Sequence, residues 1–114
     1  MAEPEFYWTG ASGKQYAYWS YKLPFSCDAV QNGNYIVTKI VDKVWFPIYI
    51  GQGDLNDRVN DETHYSCAIR KGATHVHVHL NPIEKNRIAE EQDLLAGVSS
   101  YVYAPTGCNE KPGG

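Results

Sequence analysis

The chain has 114 residues, 43% of them hydrophobic and 20% charged, with a formal net charge of −3. That length suits one domain with one buried core rather than two, and no run approaches the roughly 20 apolar residues of a membrane span. The acidic balance argues against tight, sequence-indifferent duplex binding by phosphate neutralisation alone, although Lys39, Lys43, Arg58, Arg70, Lys71, Lys85 and Arg87 could still gather into a local basic face.

The three cysteines, Cys27, Cys67 and Cys108, are odd in number, far apart and without a CxxC pair. That spacing argues against a disulfide framework and for reduced thiols in an intracellular protein. The start, MAEPEFYWTG, lacks the basic and apolar regions of a signal peptide. A soluble, cytoplasmic protein is therefore expected.

In chain order, aromatic runs at 5–9 and 15–22 flank the turn-rich GASGK and predict a β-hairpin. Residues 23–33 have no clear period and are expected to form a loop. Two antiparallel strands, 34–41 and 45–50, follow in a β-branched and aromatic stretch, with Gly51 and Gly53 ending the second. Short helices are predicted over 54–60 and 62–70, closed by Gly72. The strict alternation of THVHVHL marks a strand over 74–80. Asn81 as cap, Pro82 at the first helical position and Glu84 three residues after the cap then predict a helix running to Ala96, ended by Gly97. The tail should be partly extended, with a turn at Pro105–Gly107. The expected fold is α/β in composition and α+β in arrangement: a small central antiparallel β-sheet flanked by helices, with an extra N-terminal β-hairpin over 5–27 and a core over 33–109, all in one domain over 1–114.

Glu91 is the most informative position. On a helical wheel, Ile83, Ile88, Leu94 and Leu95 span an apolar arc, with Glu91 near its middle and Glu90 near its edge. A carboxylate facing the sheet costs several kcal/mol unless it is paired or binds a cation. A salt bridge to Arg87, four residues earlier, and a metal site are both open readings. Tyr35 and Tyr49 lie on the paired strands. They share a sheet face if the intervening loop has three residues, Asp42 to Val44, pairing Val41 with Trp45; a two-residue loop puts them on opposite faces.

Five segments carry a resemblance in order: GNY at 33–35, YIG at 49–51, GQGDLNDRV at 51–59, EQDLL at 91–95 and PTGCN at 105–109. Together they resemble the GIY-YIG nucleases over most of the chain, from about 33 to 109. The resemblance selects Tyr35, Tyr49, Arg58, Glu91 and Asn109, and His64 matches some branches of that family. The GQGD loop is one residue shorter than common forms, and the place of a frequent family lysine is taken by Thr38, with Lys39 one residue later.

The resemblance implies a DNA endonuclease in which Glu91 holds one Mg²⁺ or Mn²⁺ with several waters. Tyr35 would be the general base, which requires nearby positive charge to lower its phenol pKa. Arg58 would bind phosphoryl oxygens, Tyr49 and His64 would orient water or phosphate, and Asn109 would support the site. Such domains often rely on an attached DNA-binding domain, so a homodimer or a separate DNA-binding partner is an expected source of affinity. An inactive binding module of the same fold is the alternative. No membrane partner is expected.

His75, His77 and His79 alternate and share one strand face. A transition-metal site is one reading; the favoured one is a polar sheet face, with Val76, Val78 and Leu80 in the core. Tyr16, Trp19 and Tyr21 could stack on bases, but packing in the hairpin is the simpler role, with Tyr16 and Trp19 on opposite faces.

Overall fold

The computed structural model describes residues 6–27 and 30–110, so the first residue of the expected hairpin lies outside the described residues. The strands are β1 Phe6–Thr9, β2 Gln15–Lys22, β3 Asn32–Val41, β4 Val44–Asp54 and β5 His75–Leu80. The helices are α1 Leu55–Val59, α2 Glu62–Arg70 and α3 Glu84–Val102. The result is a small α+β domain with a five-stranded, all-antiparallel sheet in the order β1-β2-β5-β3-β4 and three helices among the described residues. The N-terminal hairpin is continuous with the sheet, because β2 pairs with β5 along Trp19–Lys22.

Strand alternation sorts the apolar residues onto two faces. On one face Tyr35, Val37, Ile48, Val76 and Val78 pack with Leu55 and Val59 of α1 and Ala68 of α2. On the other, Tyr18, Ile36 and Ile50 pack with Leu94 and Val102 of α3. Both faces are thus covered by helix, α1 and α2 on the first and α3 on the second.

The β3–β4 connection corrects the expected loop. Val41 pairs with Val44 across a two-residue turn, and Asp42 and Lys43 both have positive φ, 51° and 67°, as the right-handed twist of a hairpin favours. A two-residue turn alone would separate Tyr35 from Tyr49. The register shifts between Val37 and Thr38, however: Val37 faces Tyr49 and Thr38 faces Pro47, leaving Ile48 as the extra residue. This bulge restores the parity and returns both tyrosines to one face. Pro47 beside it has no N–H to offer, a lack tolerated on this edge strand.

The glycines expected to end β4 at residue 50 do not do so. The strand runs to Asp54 because Asn32–Tyr35 ladder against Gly51–Asp54. Asp54 then caps α1, accepting from the Asn56 N–H, and Asp61 caps α2, accepting from the His64 N–H.

Helix α3 departs from expectation at both ends. Its cap position is Ile83, with no side-chain cap bond. Asn81 is used elsewhere: its Nδ2 donates to Asn34 Oδ1 and its carbonyl accepts from Arg87. Gly97 does not stop the helix, which continues to Val102 past a kink at Val98 (φ −128°, ψ 25°). Gly97 instead lets the β1–β2 turn approach, since a Cβ there would lie 3.1 Å from the Ala11 nitrogen. The chain then turns over 104–107 and returns with Asn109 bridged to Tyr103.

Cys67 and Cys108 form a disulfide, with Cα atoms 6.0 Å apart across 41 residues of sequence. This overturns the expectation of three reduced thiols, and with it the reason for expecting a reducing compartment. Sequence spacing reports only local pairings, whereas the fold brings the turn after α3 against α2. Among the described residues no helix is long and apolar enough to cross a membrane.

Candidate active site

Tyr35 projects from β3 and Tyr49 from β4, with ring centroids 5.9 Å apart and planes tilted by 35°. Tyr35 is 2% exposed and Tyr49 is half-buried. The Tyr35 ring runs across β4 above Gly51, where a Cβ would stand 2.4 Å from the phenol oxygen. The glycine is required there because any larger side chain would collide with that hydroxyl. Two residues on, Gly53 has φ +131°, and a Cβ on it would lie 3.0 Å from Arg58 Nε. These glycines make room for the tyrosine and the arginine respectively.

Arg58, on α1, also accepts a long hydrogen bond at its carbonyl from the Tyr35 hydroxyl, at 3.4 Å. His64, on the first turn of α2, stacks on the Tyr49 ring at 4.3 Å between centroids, with planes 24° apart. Its Nδ1 lies 3.2 Å from Asp61 Oδ1. Asn109 is 8% exposed and its side chain is committed to β4. Its Oδ1 accepts from the Ile50 N–H at 2.8 Å, and its Nδ2 donates to the Ile50 carbonyl at 2.9 Å. It therefore clamps the peptide between Tyr49 and Gly51 and supports the site without entering it.

Glu91 is half-buried on α3. Burial raises its carboxyl pKa, and the Arg58 guanidinium partly offsets the effect. The salt bridge to Arg87, one of the two readings open for Glu91, does not form. Arg87 gives Nε to Gln52 Oε1 and Nη1 to the Asn81 carbonyl. No side-chain hydrogen bond or salt bridge among the described residues satisfies the Glu91 carboxylate. Glu91 is thus a single half-buried carboxylate with the Arg58 guanidinium as its opposite charge, and a cation held there would take most of its ligands from water. The wheel misjudged its neighbour: Glu90 is only 4% exposed and accepts from the Tyr18 hydroxyl and from His79 Nδ1.

Both phenols are raised above their ordinary pKa. For Tyr35, burial is the main cause, followed by neighbouring Tyr49, with Arg58 opposing. Tyr49 is raised chiefly by burial, against which the Tyr35 hydroxyl and Arg58 act. The lowered Tyr35 phenol that base catalysis requires is therefore not produced by Arg58 alone.

The histidine face is not the expected polar surface. His77 is fully buried, stacked on Phe6 at 4.6 Å and edge-on to Trp45 at 4.7 Å, and its Nδ1 accepts from Trp8 Nε1. Its pKa is lowered to about 4 by burial and by His75. His75 bonds Thr74 Oγ1, and His79 bonds Glu90. The three rings thus go to three different partners, and among the described residues no group of three or more His, Cys, Asp or Glu could hold a metal ion. Aromatics of the N-terminal hairpin cover the face, which strand alternation alone could not reveal. Leu80, expected in the core, is 56% exposed at the strand end.

Tyr16 turns toward α3 and donates to Asp93 Oδ2, while Trp19 pairs with Val78 on the opposite face. A cavity of about 870 Å³ lined by Trp19, Tyr21, Phe25, Leu55, Val78 and Leu80 among others includes none of Tyr35, Tyr49, Arg58, His64 or Glu91. The candidate residues lie at the end of β4, apart from that cavity. No protein-family profile matches this chain, and no curated protein and no solved structure matches it either.

Proposed function

We propose that this protein is a metal-dependent endonuclease of the GIY-YIG type that hydrolyses DNA phosphodiester bonds. The observation that carries the reading is the gathering of Tyr35, Tyr49, Arg58 and His64, from β3, β4, α1 and α2, around one glycine-lined strand end, with Glu91 of α3 in electrostatic reach of Arg58 and of both phenols.

Glu91 would hold Mg²⁺ or Mn²⁺, which would supply positive charge beside the phosphate. Arg58 binds phosphoryl oxygens through its planar fork and remains charged throughout. Tyr35 accepts the proton of the attacking water at its phenol oxygen. Because burial raises that phenol, it serves as a base only when positive charge is added beside it. Tyr49 and His64, stacked on each other, orient water or phosphate. Asn109 keeps the Ile50 peptide, and hence Tyr49, in place. Affinity for DNA comes in part from a homodimer or a separate DNA-binding partner, given a net charge of −3.

The raised Tyr35 phenol favours one second reading, a binding module of the same fold without catalysis. Incubation with supercoiled, branched and single-stranded DNA, in Mn²⁺ or in EDTA, separates the two. Metal-dependent cutting of any substrate supports the nuclease; binding without cutting, by folded protein, supports the module.

A further inference from the structure

Cys67 lies one turn beyond His64 on α2, and Cys108 immediately precedes Asn109. His64 and Asn109 hold Tyr49 by two routes, the first through its ring and the second through the next peptide of its strand. A single covalent bond therefore joins both supports of Tyr49.

Helix α2 is held by few apolar contacts: Ala68 is its one buried residue, and Cys67 packs partly buried against the same core. Beside the disulfide, the exposed Lys71 Nζ donates to the Pro105 carbonyl of the same turn. The turn itself is better held: the Cys108 N–H donates to the Ile48 carbonyl and the Asn109 N–H to the Val102 carbonyl. Breaking the disulfide would free α2 and His64 first, and would leave Asn109 to hold the bulged edge strand through hydrogen bonds alone.

We propose that the Cys67–Cys108 pair is a reversible redox site whose state sets the order of Tyr49 and the strand end around it. The reductant is a dithiol. Its thiolate attacks the Cys67 sulfur, half-buried where Cys108 is 7% exposed, and the Cys108 sulfur leaves as a thiolate. The reductant's second thiol then closes its own disulfide and releases Cys67. Two electrons and two protons pass to the protein, which ends with two thiols.

The consequence for cutting rests on the nuclease reading; the structural consequence does not. The experiment is amide hydrogen exchange and histidine NMR on the full chain, oxidised and after dithiothreitol, beside the Cys67→Ser/Cys108→Ser and Lys71→Ala variants. Reduction is expected to speed exchange at the Ile50 and Cys108 amides about tenfold or more while Tyr18, Ile36 and Val76 keep their protection. The His64 ring protons should move as the stack on Tyr49 loosens, and the double serine variant should match the reduced protein. Lys71→Ala should add to the Ile50 effect only when the disulfide is open. No change at Ile50 and His64, or an equal rise throughout the sheet, would overturn the proposal by making the bond inert or a global staple. If neither redox state cuts DNA, the nuclease reading fails while the exchange data still decide the redox site.

Discussion

The Tyr35 phenol oxygen stands where a side chain on Gly51 would be, 2.4 Å from the position of its Cβ. One tyrosine therefore fixes the identity of a residue on the neighbouring strand, and the contact places the phenol at the strand end beside Arg58. Gly51→Ala forces Tyr35 or the backbone to move. It should destabilise the protein by about 1–3 kcal/mol, read as a lower urea midpoint, and should reduce cutting by more than its loss of stability explains.

Tyr35→Phe keeps the packing and removes the phenol oxygen. A loss of about 10²- to 10⁴-fold in cutting rate is expected for a lost general base. Because the phenol is raised, the parent's rate should climb with pH as the phenolate fraction grows. The variant should lose that slope, which a pH–rate profile of both proteins reads directly.

Asn109→Ala leaves the Ile50 N–H and C=O without their side-chain partners. Denaturant unfolding should show a loss of about 1–3 kcal/mol. Asn109→Asp keeps the acceptor and loses the donor to the Ile50 carbonyl, so it should also destabilise. If the residue acts only through the strand, both variants should slow cutting without changing the metal concentration at half-maximal rate.

His77 gives the fold an acid limit. Its folded pKa of about 4 lies below its ordinary 6.5, so between those values the unfolded chain binds more protons than the folded one. Stability should be unaffected above that window and should fall as pH drops through it, by up to about 3 kcal/mol. Replacing His77 with Gln should flatten this part of the stability–pH curve.

Glu91 has the opposite sign. A raised carboxyl pKa means that the folded state favours the protonated form, so this group costs stability once pH exceeds the carboxyl range. Glu91→Gln should be as stable as the parent at low pH and more stable at pH 7 without metal, a difference read by thermal unfolding in EDTA. Added Mn²⁺ should stabilise the parent and leave the variant unchanged.

Much of the fold could be read in the chain because patterning and turn chemistry are local. The alternation of 75–80 and the aromatic runs of the N-terminal hairpin give their strands. What misled was tertiary. Asn81 has the right spacing for a cap, but a buried Asn34 and Arg87 claim it. The β3–β4 turn is one residue shorter than expected, and a bulge at Ile48 compensates, so the shared face of Tyr35 and Tyr49 follows for a different reason. The wheel found Glu91 but ranked Glu90 too low, because Tyr18 and His79 reach it from strands whose order no helical period encodes. The disulfide joins residues 41 apart, and only the folded sheet brings them together.

Glu91 and Tyr35 are proposed to share one metal-dependent cutting site, and nicking of supercoiled plasmid reads both residues at once. The parent, Glu91→Ala and Tyr35→Phe would be compared in Mn²⁺ and in EDTA, each first shown to be folded by circular dichroism. Nicking by the parent in Mn²⁺, absent in EDTA and lost in both variants, is the predicted result. Nicking that survives in folded Glu91→Ala, or that ignores EDTA, would rule out a Glu91-dependent metal site.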